Sequence, residues 1–180
     1  MKSIDSILLR FYFLELCNSS LDKCFLPENQ YQYRGPMPLK EDVLLQLARG
    51  LNYIHSRGLS HRNIKPENAL IKLLDFQDYD GYRHRVQMKW GDCSLTAPLN
   101  RLGSDSIMEK VSKRTYIWMA PELLGTEIDF KNEADIYSQG LVFAYFLLGG
   151  VHPFGERLII LNNMLQNKPV KLEGYYAILF

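Results

Sequence analysis

Apolar positions in the 180-residue chain change period several times, and each change marks an element. From Leu39 onward the spacing is helical, with Leu44, Leu47, Leu51 and Ile54 on one side and Lys40, Glu41, Arg49 and Asn52 largely elsewhere. Pro38 opens this predicted helix and Gly58 closes it. Upstream, Ile7 to Leu16 is rich in aromatic and branched residues without a polar stripe, which predicts a strand covered on both faces, broken at Cys17-Asn18-Ser19-Ser20. Pro27 to Pro38 carries three prolines and a glycine, and reads as a surface connection. After Gly58 the short apolar pieces Ala69 to Leu74 and Val86 to Trp90, separated by polar residues with Asp80-Gly81, predict a hairpin. Arg101 to Thr115 is polar and hydroxyl-rich, as in a long exposed loop. Ala134 to Leu148 is apolar nearly all round, which predicts a helix buried in a core.

Composition adds boundaries. A hydrophobic fraction of 47% belongs to a globular chain, and 21 basic against 20 acidic side chains give a formal charge of +1. No whole-molecule field draws it to nucleic acid or an anionic membrane, and neither is expected as a partner. The apolar run Leu141 to Val151 is shorter than the roughly 20 residues a bilayer span needs. Ile7 to Leu16 is interrupted by Arg10 and lacks a small-residue cleavage pattern, which disfavours a signal peptide. Cys17, Cys24 and Cys93 are odd in number and lack metal-ligand spacing, as suits reduced thiols and a cytoplasmic location.

The chemistry lies in His61-Arg62-Asn63-Ile64-Lys65-Pro66-Glu67-Asn68, between the predicted helix and the predicted hairpin. It resembles the HRDxKPxN catalytic loop of serine/threonine protein kinases, with Asn63 where the family has its aspartate. Further segments follow in family order: Trp118-Met119-Ala120-Pro121-Glu122 is similar to WxAPE, Asp135-Ile136-Tyr137-Ser138-Gln139-Gly140 to DxxSxG, and His152-Pro153-Phe154-Gly155 to HPFG. Phe13-Leu14-Glu15-Leu16-Cys17 is placed like the strand and hinge that meet adenine. The resemblance implies an α+β, protein kinase-like fold over residues 1–180, mainly the helical C-terminal lobe: 1–17 a remnant strand and hinge of the N-terminal lobe, 18–180 an incomplete C-lobe.

The same resemblance assigns tasks to residues. Phosphoryl transfer needs a positioned hydroxyl, a base for its proton and metal against the phosphates. Asn63 stands at the base position, Lys65 at the lysine that steadies the transferred group, and Asn68 at a magnesium ligand. A neutral carboxamide orients a hydroxyl but is no carboxylate base. For the metal-binding DFG aspartate two candidates compete. Asp75-Phe76-Gln77 is closer in letters but only six residues separate it from Asn68, too few for two strands and a turn. Asp92-Cys93-Ser94 leaves room for the hairpin, with Phe76 to Arg85 as an insertion at its tip, so Asp92 is chosen. ATP and Mg2+ are the implied cofactors. Backbone groups near Glu15 and Cys17 are expected to meet the adenine ring over a floor at Leu70. His61 is expected to pack and hydrogen-bond within the loop. Ser104, Ser106, Ser112, Thr115 and Tyr116 fit two readings, a solvated loop or regulatory phosphosites with Arg62 as charge partner, and the solvated loop is the expectation for any single one. Thr115 is the residue that contacts the catalytic loop, Glu122 the acid of the APE-like element, and Asp135 the anchor of the loop backbone.

The sequence has no GxGxxG before the hinge-like segment, and Lys2 lacks the context of the family's strand lysine. Truncation at both ends, with marginal stability or a dependence on a partner, is the expectation. Leu14-Glu15-Leu16-Cys17, Asn18-Ser19-Ser20-Leu21 and Gly150 to Gly155 further resemble the unfolded-protein-response sensor kinase/endoribonucleases and ribonuclease L, as does Leu161 to Pro169. Those relatives imply a nucleotide-sensing unit that pairs with a protein partner or a second copy. Three functions stay open: a nucleotide-binding pseudokinase impaired by Asn63, an active serine/threonine kinase, and an inactive fragment or scaffold.

Overall fold

The computed structural model describes residues 14–27, 30–78, 81–98, 115–124 and 131–172. Its elements are short strands and helices in the order β1 (Ser19–Ser20), α1 (Lys40–Ser56), β2 (Leu59–Ser60), β3 (Ala69–Asp78), β4 (Gly81–Trp90), β5 (Ala97–Pro98), α2 (Asn132–Leu147) and α3 (Ile160–Leu165), with 3₁₀ turns between them. The fold is α+β, as expected.

Helix α1 forms where the helical period lies. Glu41 and Asp42 sit in its first turn, where the backbone dipole favours acid. At its end Gly58, at φ +69°, takes the left-handed conformation that only glycine adopts without strain, and donates to the His55 carbonyl. The fully buried stripe is Val43, Leu47 and Leu51, with Ile54 half-buried beside it.

Strands β3 and β4 pair antiparallel from Ala69 opposite Trp90 to Asp78 opposite Gly81. The hairpin is therefore longer than its apolar segments suggest. Phe76 to Arg85, read as an insertion at the tip, largely continues the ladder, with Phe76 opposite Arg83 and Asp75 opposite His84. Ala69, Ile71 and Met88 face the core. The Met88 amide donates to Gln46 Oε1 at 2.9 Å and Trp90 Nε1 to the Leu47 carbonyl at 2.9 Å, fixing the hairpin to α1.

The segment Cys17 to Ser20, read as a break, supplies the third strand: Ser19 and Ser20 pair with Ile71 and Leu70. Of the strand expected over Ile7 to Leu16, residues 7–13 lie outside the described residues, and Leu14 to Leu16 are irregular. A second small sheet pairs β2 with β5.

Helix α2 forms where expected but is not buried all round. Its covered side holds Ala134, Asp135, Ser138, Gln139, Leu141 and Val142, whereas Ile136 is 57% exposed and residues 143–147 are half-buried. Three of the six covered side chains are polar: Asp135 anchors the segment after β2, Gln139 Nε2 donates to the Leu47 carbonyl of α1 at 3.3 Å, and Ser138 Oγ donates back to the Ala134 carbonyl at 2.9 Å. Phe25 and Trp118 both meet Tyr145 edge-on with centroids 5.4 Å apart, and Ile160 and Met164 of α3 join the same core. No helix among the described residues is long and apolar enough to cross a membrane.

Candidate functional site

The segment from Ser60 to Asn68 runs from β2 into β3 with no regular structure until the 3₁₀ turn at Pro66–Asn68. Such a segment keeps one shape only if its backbone groups find partners elsewhere. Asp135, 3% exposed on α2, provides them. Its Oδ2 accepts from the His61 amide at 2.7 Å and Ser60 Oγ at 2.9 Å, with His55 Nε2 at 3.0 Å, and its Oδ1 accepts from the Arg62 amide at 2.8 Å. Arg62 is thereby held at φ +66°, a left-handed conformation that a non-glycine residue adopts only under such constraint.

His61 passes this order on. The Asn63 amide donates to its Nδ1 at 3.3 Å, so Nε2 carries the proton and donates to the Gly91 carbonyl at 3.1 Å. Burial keeps the imidazole neutral, with its pKa below the ordinary value. The Gly91 amide in turn donates to the Asn68 carbonyl at 2.8 Å. These bonds bring the turn after β4 against the loop, and Asp92 with it.

Asp92 is exposed and sits at φ +55°. Its Oδ2 accepts from Asn63 Nδ2 at 2.8 Å, and its Oδ1 accepts from Ser94 Oγ at 2.6 Å and the Ser94 amide at 3.4 Å. An ionised carboxylate only accepts, so the Asn63 amide nitrogen is the end that faces it. Asn68 Nδ2 donates to the Asn63 carbonyl at 2.7 Å. Lys65 Nζ donates to Thr115 Oγ1 at 3.2 Å, and Thr115 is buried. Asn63, Asn68 and Asp92 are thus bonded to one another, the Lys65–Thr115 pair joins them through the Asn68 backbone amide on the Lys65 carbonyl at 3.0 Å, and Asp135 holds the His61–Arg62 backbone that precedes them. Asp75, the competing candidate, lies within β3 opposite His84, away from this cluster.

At the hinge-like segment the Leu16 carbonyl accepts from Lys72 Nζ at 2.7 Å, and Lys89 donates to the Glu15 carboxylate, holding its pKa below the usual range. Burial, and secondarily Glu15, raises the pKa of the Cys17 thiol. Lys89 stands opposite Leu70, and a Cβ on Gly91 would collide with Leu70 Cδ1. Glu122 is exposed on a 3₁₀ turn, and Tyr116 lies in another. Ser104, Ser106 and Ser112 lie outside the described residues.

Two grooves, of about 600 and 510 Å³, run along α1 and β4; neither includes Asn63, Asn68 or Asp92, although the second reaches Cys93. Concavity and chemistry diverge here, and the polar constellation is the better guide because convergent donors and acceptors define recognition. Among the described residues no group of three or more His, Cys, Asp and Glu side chains is placed to hold a metal ion. A kinase magnesium does not need one: it binds through one or two carboxylates and the substrate's phosphates, and Asp92, which is exposed, and Asn68, each bonded to Asn63, are the residues that would hold it. Sequence reasoning missed His55 and Ser60. They meet Asp135 across 80 and 75 positions of chain, and no local pattern marks them.

Loop, anchor and turn in this arrangement define a class, and comparison agrees with it: the chain belongs to the protein kinase domain family, whose profile matches residues 10–173. It is 40% identical over 158 residues to human "Serine/threonine-protein kinase/endoribonuclease IRE2", covering 87% of this chain and 16% of that protein. It is 32% identical over 152 residues to Caenorhabditis elegans "Serine/threonine-protein kinase/endoribonuclease ire-1", covering 83% and 15%. Schizosaccharomyces pombe "Sporulation protein kinase mde3" is 36% identical over 113 residues, covering 62% and 19%. The chain thus spans less than a fifth of the length of these relatives.

Proposed function

We propose that the chain is a serine/threonine kinase-like domain that binds ATP at the face carrying Asn63, Lys65, Asn68 and Asp92 and is impaired in phosphoryl transfer, a pseudokinase of the cytoplasm. The hydrogen bond from Asn63 Nδ2 to Asp92 carries this reading. The family's base position holds a side chain that donates to a carboxylate and has no carboxylate of its own to accept a hydroxyl proton. Lys65 supplies positive charge toward a transferred phosphoryl group, Thr115 steadies Lys65, and Leu70 provides the apolar floor under adenine near Glu15 and Cys17. Asn68 and Asp92 would hold magnesium, which supplies neutralisation of phosphate charge.

Purified chain incubated with radiolabelled ATP and a generic protein substrate is expected to transfer phosphate at background, and Asn63→Asp to raise the rate by about two decades. Equal, measurable rates in both would overturn the assignment of Asn63. ATP raises the melting temperature if the folded state binds it, and no shift at saturating nucleotide points instead to a scaffold or fragment.

Support for a protein partner or a second copy comes from the apolar surface near α3. Leu158 is 99% exposed and Leu165 65%, with Leu161 beside them. Sedimentation velocity across a concentration series tests self-association.

A further inference from the structure

Two positions near the site depart from the family pattern in a way that adds or alters a polar side chain: Asn63 in place of aspartate, and Ser94 in place of the glycine that ends DFG. Both meet at one carboxylate. Asn63 Nδ2 donates to Asp92 Oδ2 at 2.8 Å, and Ser94 donates to Asp92 Oδ1 through Oγ at 2.6 Å and through its amide at 3.4 Å. Asn63 fills Oδ2, and Ser94 adds a hydroxyl donor to the backbone amide already on Oδ1.

The family residues at these positions have the opposite consequence. An aspartate at 63 would set a second carboxylate in the place from which Asn63 now reaches Asp92. Two carboxylates at that separation repel unless a cation lies between them. A glycine at 94 would remove the hydroxyl donor while keeping the amide. The family pair therefore calls for a cation, whereas the pair present here satisfies Asp92 from within the chain.

We infer that Asn63 and Ser94 form an internal clamp that takes the place of a divalent cation in ordering Asp92, so that the turn after β4 keeps its shape without metal. Two results follow. Divalent cations bind the isolated site weakly, because a cation must displace hydrogen bonds already made and meets one negative charge fewer. Nucleotide binding depends little on magnesium, because the residue that the metal would otherwise organise is already fixed. The inference rests on the reading that Asp92 and Asn68 form the cation side of the nucleotide site. Its first two tests nevertheless require no nucleotide.

In metal-free solution the Asn63 carboxamide protons should give a dispersed, exchange-protected pair in a nitrogen-edited NMR spectrum. That pair should collapse to the position of a solvated asparagine in Asp92→Ala, a change at an exposed residue that leaves the core intact. An Asn63 signal that is indifferent to Asp92→Ala overturns the clamp. Mn2+ titrated into the full 180-residue chain, with free ion counted by electron paramagnetic resonance, should bind the double variant Asn63→Asp, Ser94→Gly at least tenfold more tightly than the wild type, and broaden the Asn68 resonances of that variant. Affinities within twofold of each other overturn the competition with metal. Thermal shift by ATP, with magnesium or with a chelator, should agree within about 1 °C for the wild type. A shift confined to magnesium overturns the clamp, and a double variant that gains Mn2+ binding without any ATP shift in either protein would remove the nucleotide reading and leave the clamp standing.

Discussion

Asp135 and Asp92 are the same side chain in two surroundings, and the contrast separates what builds this fold from what equips it. Asp135 is 3% exposed and gathers two backbone amides, a serine hydroxyl and a histidine nitrogen from the chain 73 to 80 positions away. Asp92 is exposed and is held by two side chains of its own neighbourhood. A buried carboxylate is tolerable only when its hydrogen bonds are made, and once made they cannot be lost singly without leaving buried donors unpaired. The exposed one has water as an alternative on its Ser94 side. Burial turns the first into architecture and leaves the second available to a ligand.

The largest test is to break both. Asp135→Ala is expected to destabilise the chain by about 3–5 kcal/mol, the range for removing one member of a buried charged network. Asp92→Ala should cost about 1–2 kcal/mol, because the amide of Asn63, 5% exposed, loses its partner. Urea midpoints followed by circular dichroism measure both. Similar losses in the two variants would end the distinction.

Acid should attack the buried region and spare the exposed one. His152 lies between Trp118, at 4.7 Å between centroids, and Phe154, and hydrogen-bonds the Ile117 carbonyl at 2.9 Å. Burial lowers its pKa from 6.5 to about 4. In the unfolded chain this imidazole binds a proton near pH 6.5, whereas the folded chain refuses it until about 4, so stability is full above about pH 7 and falls as pH drops through that window. The loss approaches about 3 kcal/mol by pH 4, at roughly 1.4 kcal/mol per unit. His61 is shifted in the same direction by its burial and adds to the slope. His152→Gln, which retains a hydrogen-bonding amide, should flatten the dependence of the urea midpoint on pH between 4 and 6.5. An unchanged slope would place the acid sensitivity elsewhere.

Legibility in the sequence follows the same division. Helix α1 was readable because its signals are local: Pro38 and Gly58 flank it, and Leu47 and Leu51 of the expected side are buried, although Val43 rather than Leu44 completes the buried stripe. Asp92 could be preferred to Asp75 because a hairpin needs a minimum length, a constraint of backbone geometry. The extent of that hairpin was not readable. The polar stretch after Leu74 has no apolar alternation, yet it pairs because the strands that begin the ladder carry it onward, as far as Asp78 and Gly81. Strand β1 was missed for a related reason, since two serines have little strand preference and pair only because β3 offers an edge. Asp135 could be placed by resemblance, but His55 and Ser60 at its side could not, because proximity across α1, β2 and α2 is a product of the fold.

The smallest expected effect lies within Asp92 itself, whose two oxygens repeat the larger contrast at close range. Oδ2 faces Asn63, a residue 5% exposed, while Oδ1 faces Ser94 in solvent. Ser94→Ala removes a short hydroxyl bond whose place water can take, and should change stability by less than about 0.5 kcal/mol. Asn63→Ala removes the buried donor to Asp92 and opens space where the Asn63 side chain was, and should cost about 1–2 kcal/mol. The ordering matters more than either size. If Ser94→Ala proves the more damaging of the two in the same urea series, the turn after β4 is held from its solvent side, and the catalytic-loop position contributes less to fixing Asp92 than its geometry indicates.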